Sequence, residues 1–133
     1  MYENDSWRIV LFAASQEYLG KSVLTCKQHV ATLHELSDTQ WYDLRGAIQW
    51  YEQQVCSAFS PTHYNWQCLM NNAAGRHEQT HVQWHVTFRY EQTVEFNSDQ
   101  FVDSRWPLSS REVVPKQLSQ EKLLQIADAI VHG

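Results

Sequence analysis

The chain has 133 residues, enough for one domain with a sizeable core, and 43% of them are apolar. Its formal net charge of −5 argues against nucleic acid or an anionic membrane as the partner. We expect neither a secretory signal nor a spanning helix, because no basic-then-apolar start and no apolar run of about 18 residues occurs. Three cysteines without CxxC spacing predict free thiols in a reducing cytoplasm.

The first half of the chain predicts two strands and a long helix. Residues 7–13 and 19–26 are typical of strands, and a turn containing Ser15 to Glu17 joins them. The capping box Ser37-Asp38-Thr39-Gln40 then opens a helix that ends near Ser60-Pro61. Its apolar positions recur every three or four residues, at Trp41, Leu44, Ile48, Tyr51, Val55 and Phe59.

The second half predicts two more strands and a C-terminal helix. Residues 64–70 and 80–90 are typical of strands, a turn at 71–75 separates them, and 91–114 is irregular. The C-terminal helix has apolar positions at Leu118, Leu123, Ile126, Ala127 and Ile130. We therefore predict one α+β domain over residues 1–133, built on an antiparallel sheet meander. Its core spans about 7–106, and its helical tail spans about 115–132.

The strand at 80–90 carries the polar residues of most interest. Strand side chains alternate between faces, so His81, Gln83 and His85 share one face, and Val82 and Trp84 point to the other. Three adjacent polar groups on one face need water, a metal or an anionic ligand. Two interpretations stay open: a ligand site, or a solvent-facing strand that happens to contain two histidines.

A second motif overlaps this strand. The string His77-Glu78-Gln79-Thr80-His81 matches HExxH, in which two histidines one helical turn apart bind zinc and the glutamate acts as base. That chemistry requires a helix, whereas the residues after His81 favour a strand. A zinc protease is therefore the minor alternative.

The string His81-Val-Gln-Trp-His-Val-Thr-Phe-Arg-Tyr90 resembles the signature of the histidine-triad family, and in particular its prokaryotic branch. That signature is His-x-His-x-His followed by apolar residues and often by Arg-Tyr. The similarity extends over about residues 7–106. Its further parts are Tyr18–Leu24, Lys27-Gln28-His29, the helix entry from Leu33 to Leu36, Asn65–Asn72, Val94–Phe96 and Phe101–Asp103.

The resemblance implies a purine nucleotide or dinucleotide as the partner, with its phosphates over the triad. Members of the family hydrolyse or transfer nucleotidyl groups from dinucleoside polyphosphates or phosphoramidates. Their middle histidine attacks the α-phosphorus and forms a nucleotidyl-histidine. Neither a metal nor another cofactor is implied. Pairs of subunits usually form homodimers through the long helix and a shared sheet.

The resemblance also assigns roles to individual residues. His81 and His85 match the first and third catalytic positions, which orient the phosphate and stabilise charge in the transition state. Four more residues match nucleotide-binding or phosphate-binding positions: Asn71 or Asn72 near the leaving group, and Gln79 with Thr80 at the phosphate.

Gln83 occupies the middle catalytic position, where the family has its nucleophilic histidine. A carboxamide nitrogen is a very poor nucleophile because its lone pair is delocalised, so we expect the covalent step to be impaired. Three explanations stay open: a nucleotide-binding protein without the covalent step, a replacement introduced to trap a ligand, or direct displacement by another group. A non-catalytic interaction domain is the remaining alternative. Lys21 replaces a fourth histidine and is either a phosphate contact or a solvated strand residue.

Overall fold

The largest element of the fold is an antiparallel sheet. A computed structural model describes residues 1–70, 81–110 and 115–133 of the chain. The strands of the sheet are β1 (Tyr2–Glu3), β2 (Trp7–Leu11), β3 (Ser22–Cys26), β4 (His63–Cys68) and β5 (Gln83–Arg89). Within the described residues, the five strands pair in the order β1-β2-β3-β5-β4. Because β5 pairs with both β3 and β4, it runs through the interior of the sheet, and β4 forms one edge. A 3-10 turn (Leu33–Glu35) follows β3 in the chain.

The long helix α1 (Asp38–Phe59) connects β3 to β4. It begins with the predicted capping box: the Ser37 hydroxyl accepts a hydrogen bond from the Gln40 N–H at 3.1 Å. In return, the Gln40 side chain accepts one from the Ser37 N–H at 2.8 Å. The helix ends where Ser60 takes a left-handed conformation with a φ of 50°. The prediction of this helix and of both its ends is confirmed.

The core lies between α1 and one face of the sheet. The buried residues of α1 recur every three or four positions, at Leu44, Ala47, Tyr51, Val55 and Phe59. They pack against the fully buried sheet residues, which include Trp7, Ile9, Leu24, Val86 and Phe88. Full burial of each large apolar side chain contributes roughly 1.5–3 kcal/mol. One face of β5 is therefore committed to holding the fold together.

A hairpin follows β5. Its strands β6 (Val94–Phe96) and β7 (Asp99–Phe101) are joined by Asn97 and Ser98, which have φ values of 49° and 68°. Two residues with positive φ give the twist that tight hairpins favour. The prediction of an irregular segment over 91–114 is therefore wrong for residues 94–101. The reason is that Asn-Ser carries a weaker turn signal than Asn-Gly.

The C-terminal helix α2 (Gln120–His132) packs on α1. The Ser119 hydroxyl caps its first turn by accepting a backbone hydrogen bond at 3.2 Å. Ile126 and Ile130 are buried, and the Gln54 side-chain amide of α1 donates to the Ile130 carbonyl at 3.0 Å. The predicted C-terminal helix is confirmed.

A buried ion pair fixes the end of β5. Arg89 donates to Asp103 from Nε at 2.6 Å and from Nη2 at 3.1 Å, and the Tyr90 N–H donates to the same carboxylate at 3.2 Å. Burial by itself would raise the pKa of Asp103, but these hydrogen bonds hold that pKa below its usual value. The guanidinium of Arg89 also lies 5.4 Å from the centroid of the Tyr18 ring. The ion pair therefore holds the C-terminal end of β5, the strand that carries the polar residues, in place.

The structure confirms the predicted class, α+β with an antiparallel sheet, one long helix and a C-terminal helix. The predicted strands over 7–13 and 19–26 are present but shorter, because residues 12–21 form a longer loop between β2 and β3. In the ranges that the structure describes, no helix is both long and apolar enough to cross a bilayer.

Candidate functional site

Strand β5 holds two of the predicted site residues in the interior of the sheet. Gln83 lies opposite Thr25 of β3, and His85 lies between Val23 of β3 and Gln67 of β4. Residues directly opposite one another share a face, and successive residues alternate. Gln83 and His85 therefore lie on the face of the sheet away from α1, as a period of two predicts. We call this surface the site face.

His85 combines burial with an unsatisfied nitrogen. Only 8% of its surface is exposed, yet its Nε2 has no hydrogen-bond partner in the described chain. Burial lowers the pKa of His85, the charge of Lys21 lowers it further, and a hydrogen bond with the Leu69 backbone raises it. Nε2 of His85 is therefore a buried ring nitrogen whose hydrogen-bonding capacity is unused within the described residues.

His81 lies just before β5 and not within it. The adjacent Val82 is fully buried, and its N–H donates to the Val30 carbonyl at 2.8 Å. Nε2 of His81 lies 2.8 Å from the Cys26 carbonyl oxygen, and the centroid of its ring is 5.1 Å from that of His29. The imidazole of His81 is therefore held against the end of β3.

Lys21 ends the loop between β2 and β3. Its carbonyl accepts a hydrogen bond from the Phe12 N–H at 2.9 Å, and its Nζ lies 4.4 Å from the centroid of the Phe12 ring. Lys21 is two residues before Val23, which lies opposite His85. Because strand side chains alternate between faces, Lys21 is on the site face as well. The effect of its charge on the pKa of His85 agrees with this placement. The structure therefore brings together three predicted residues, Lys21, Gln83 and His85.

Four predicted residues, Asn71, Asn72, Gln79 and Thr80, lie outside the described residues. The first four residues of the HExxH string also lie outside them. Residues 83–89 form a strand, whereas a zinc-protease helix that continued past His81 would make them helical. Within residues 1–70, 81–110 and 115–133, no group of three or more His, Cys, Asp or Glu side chains is arranged to hold a metal ion.

Strand β4 contributes two amide side chains that the sequence analysis did not single out. Gln67 lies opposite His85, and Asn65 lies opposite Thr87. With Ser109 and Ser110, they line a cleft of about 440 Å³. Asn65 and Gln67 are two residues apart in a predicted strand, so alternation alone assigns them to one face. This alternation is the sequence signal for their place on the site face.

An apolar groove of about 640 Å³ runs on the other side of the sheet, between α1 and strands β4 and β5. Its lining includes Trp41, Ile48, Cys56, Tyr64 and Trp84, with Arg45 and Glu52 among them. The indole Nε1 of Trp84 is buried without a hydrogen-bond partner in the described part of the chain. Strand β5 therefore carries an unpartnered ring nitrogen on each of its two faces.

The three cysteines are free thiols, as the sequence predicts. Burial raises the pKa of Cys26, Cys56 and Cys68 above the ordinary value. A raised pKa reduces the fraction of thiolate, so these residues are poor candidates for a nucleophile.

The site face has the chemistry of an anion-binding surface. The ammonium of Lys21 supplies charge, and the carboxamide of Gln83 has two N–H donors that a phosphate oxygen can accept from. His85 supplies a neutral nitrogen that can accept a proton. Position 83, where the family signature has its nucleophilic histidine, holds instead a carboxamide, which is a very poor nucleophile.

No protein-family model matches this chain, and no curated protein matches it. Solved structures do match its fold. A histidine-triad protein from Sinorhizobium meliloti 1021 superposes with a TM-score of 0.74 at 15% identity, over 96% of this chain and 83% of that one. A histidine-triad protein from Marinobacter aquaeolei VT8 gives a TM-score of 0.71 at 15% identity, over 98% and 82%.

A third match is a protein from Sulfolobus tokodaii strain 7 described as a hypothetical histidine triad nucleotide-binding protein. Its TM-score is 0.67 at 16% identity, over 97% of this chain and 78% of that one. This chain therefore has the histidine-triad fold, which confirms the predicted resemblance at the level of the fold.

Proposed function

We propose that the chain binds a purine nucleotide or dinucleotide, with a phosphate on the site face beside Lys21, Gln83 and His85. One observation carries the proposal: a cation, an amide and a buried imidazole with an unpartnered Nε2 share that face. A buried polar group without a partner costs about 1–3 kcal/mol. A ligand that supplies the missing hydrogen bond offsets this cost.

The proposed roles follow from the donor set. Lys21 supplies a point charge to a phosphate oxygen, and Gln83 donates an amide N–H to another. His85 gains a proton when an anion is close, because a nearby negative charge favours the imidazolium form. His81, held by the Cys26 carbonyl, borders the same site. Asn71 or Asn72, Gln79 and Thr80 remain predicted contacts.

The histidine-triad fold supports the substrate class. The Sulfolobus protein is described as nucleotide-binding, and the resemblance implies nucleotidyl hydrolysis or transfer on dinucleoside polyphosphates or nucleoside phosphoramidates. Gln83 cannot form the nucleotidyl intermediate, and loss of a covalent nucleophile can cost about 10⁶ in turnover. We therefore propose a nucleotide-binding protein with impaired covalent catalysis.

Direct hydrolysis by water is the second candidate. The observation in its favour is the unpartnered Nε2 of His85, because a neutral imidazole can accept a proton from an attacking water. The lowered pKa of His85 favours this neutral ring near neutral pH. This candidate requires a measurable rate with the Gln83 protein, lost on His85→Ala.

Binding is tested by titrating AMP into the protein in a calorimeter. We expect a dissociation constant in the micromolar range, weakened by roughly 10-fold or more in Lys21→Met and in His85→Ala. His132→Ala is the matched control, because that histidine is 71% exposed at the far end of α2. Absence of AMP binding by the unmodified chain would contradict the proposal and favour an interaction domain.

The catalytic part of the proposal is tested by Gln83→His. We expect this variant to cleave diadenosine polyphosphates or adenosine phosphoramidates and to form a nucleotidyl adduct that can be trapped at position 83. The unmodified chain should show a far lower rate. If Gln83→His binds AMP but cleaves none of these substrates, the assignment of a hydrolase scaffold is wrong.

We further propose that two copies pair through the apolar groove and strand β4. Among the described residues, β4 is an edge of the sheet, and edge backbone groups favour pairing with another strand. Arg45 and Glu52 lie two helical turns apart on the groove side of α1. When α1 of a second copy packs antiparallel to α1, with the symmetry axis midway between Arg45 and Glu52, each arginine lies near the other copy's glutamate. A symmetric pair of this kind is self-complementary in charge.

Sedimentation equilibrium tests this pairing. We expect a homodimer, and we expect Ile48→Glu to shift the chain to a monomer by burying an unpaired charge in the interface. Leu124→Glu is the control, because that side chain is 59% exposed on α2. A monomeric unmodified chain, or equal effects of the two substitutions, would contradict the pairing.

A further inference from the structure

The loop of residues 12–21 has a closed neck. Phe12 and Lys21 face each other across that neck, joined by the Phe12 N–H to Lys21 carbonyl hydrogen bond at 2.9 Å. The ammonium of Lys21 also lies over the Phe12 ring, 4.4 Å from its centroid. The position of Lys21 therefore depends on what holds the neck together.

Gln16 fills the interior of this loop. Its side chain is fully buried and bridges both sides of the neck, since Nε2 donates to the Phe12 carbonyl at 3.1 Å and to the Lys21 carbonyl at 3.0 Å. Its Oε1 accepts from the Gly20 N–H at 2.9 Å. A buried primary amide can satisfy three backbone groups at once in this way, which no apolar side chain can do.

The loop is also anchored from outside. The backbone N–H of Gln16 donates to the Lys116 carbonyl at 2.9 Å, and the Lys116 N–H donates to the Ser15 hydroxyl at 3.0 Å. Gly20 has a φ of +89°, and an added Cβ there would lie 3.3 Å from the Phe88 side chain. The loop therefore sits directly on the core, which leaves little freedom for the residue that follows Gly20.

We propose that Gln16 is a positioning residue for the candidate site, and that its amide holds Lys21 beside His85 on the site face. This inference rests on the proposed function, because it concerns how the phosphate-binding cation is placed. A Coulomb interaction weakens with distance and with access of water. A loop that opens at its neck would release the ammonium toward solvent.

The surroundings of His85 make the placement of Lys21 measurable. Across β3 and β4, the residues opposite His85 are Val23 and Gln67, neither of which titrates. Within the described residues, Lys21 is the only charged group with a resolved effect on the pKa of His85. A shift in that pKa therefore reports movement of the Lys21 charge.

The experiment measures the pKa of His85 by NMR in Gln16→Met, Lys21→Met and the double variant, with Gln92→Met as a control for an exposed glutamine. Lys21→Met should raise that pKa by removing the cation. Gln16→Met should raise it in the same direction, and the double variant should show no rise beyond that of Lys21→Met. Additive rises, or no rise in a folded Gln16→Met protein, would overturn the inference.

AMP titrations provide the second measurement. We expect Lys21→Met and Gln16→Met each to weaken binding by roughly 10-fold and the double variant to be no weaker than Lys21→Met alone. If Lys21→Met leaves AMP binding unchanged, the proposed role of Lys21 fails, and the NMR result still decides the role of Gln16. If Gln16→Met does not fold, Gln16→Asn replaces it, because this shorter amide cannot reach both sides of the neck. An unchanged His85 pKa in a folded Gln16→Asn protein then overturns the inference.

Discussion

Two regions of this molecule bury polar groups in opposite ways. In the loop of residues 12–21, the buried amide of Gln16 makes three hydrogen bonds to backbone groups. In β5, the buried Nε1 of Trp84 and Nε2 of His85 have no hydrogen-bond partner in the described chain. The first arrangement stabilises a conformation, and the second leaves hydrogen-bonding capacity unused within the described residues. The two unpartnered nitrogens therefore lie where we propose that a ligand and a second copy bind.

The comparison predicts that substitutions among paired groups change stability most. Asp103→Asn should reduce the free energy of unfolding by about 3–5 kcal/mol, because it leaves Arg89 buried without a countercharge. Urea unfolding followed by circular dichroism measures the change. Asp99→Asn is the control, since its pair with Lys122 is partly exposed and should cost about 0–1 kcal/mol. Equal losses would show that burial of the ion pair does not matter.

Tyr51→Phe should cost about 1–3 kcal/mol. The Tyr51 hydroxyl donates to the Gly20 carbonyl at 2.9 Å and lies 2.5 Å from the Ser22 hydroxyl, all within the core. Thermal unfolding measures this loss, and Tyr42→Phe is the matched control because Tyr42 is 73% exposed. A loss no greater than that of the control would show that the hydrogen bond from Tyr51 to the Gly20 carbonyl does not stabilise the fold.

The unpartnered His85 predicts a dependence of stability on pH. Its pKa is lowered in the folded chain, mainly by burial and then by Lys21, so the unfolded chain binds the proton more readily. Stability should fall as pH drops below the ordinary histidine pKa of 6.5 toward the lowered value. His85→Gln should flatten this part of the profile in urea unfolding. A profile that is unchanged by the substitution would show that His85 is not the group responsible.

Trp84→Phe should have the smallest effect, a change in the free energy of unfolding within about 1 kcal/mol in dilute solution. The indole N–H that it removes makes no hydrogen bond within the described residues. Trp7→Phe is the matched comparison, since the Trp7 Nε1 donates to the Gln40 carbonyl at 2.8 Å. That variant should cost about 1–3 kcal/mol more. Equal losses in thermal unfolding would remove the distinction between paired and unpaired nitrogens.

Most of the fold can be predicted from periodic patterns in the sequence. The capping box at Ser37 and the apolar positions of α1 predict that helix and both its ends, because local hydrogen bonds and helical spacing determine them. The sequence does not predict the hairpin at Asn97-Ser98, because a serine rarely takes the positive φ that glycine takes in an Asn-Gly turn. The predicted meander would pair the strands in chain order, whereas β3 pairs with β5 and not with β4, since pairing depends on contacts between distant parts of the chain.

The candidate site was predicted in part. Alternation along β5 was sufficient to put Gln83 and His85 on one face, and the structure adds Lys21 to them. Gln16 was read only as a turn residue, because nothing in the sequence indicates that its amide closes the loop from inside. The roles of residues 71–80 remain predictions from the resemblance.

Strand β5 hydrogen-bonds to a neighbouring strand on both sides and ends at a buried ion pair. Its amides should therefore exchange with solvent only when the whole chain unfolds, while the ends of α2 and the edge of β1 exchange through local opening. The backbone at Gln83 and His85 is therefore already rigid before a ligand binds. Little conformational entropy is lost when a ligand contacts these residues, so even a few contacts can give measurable affinity.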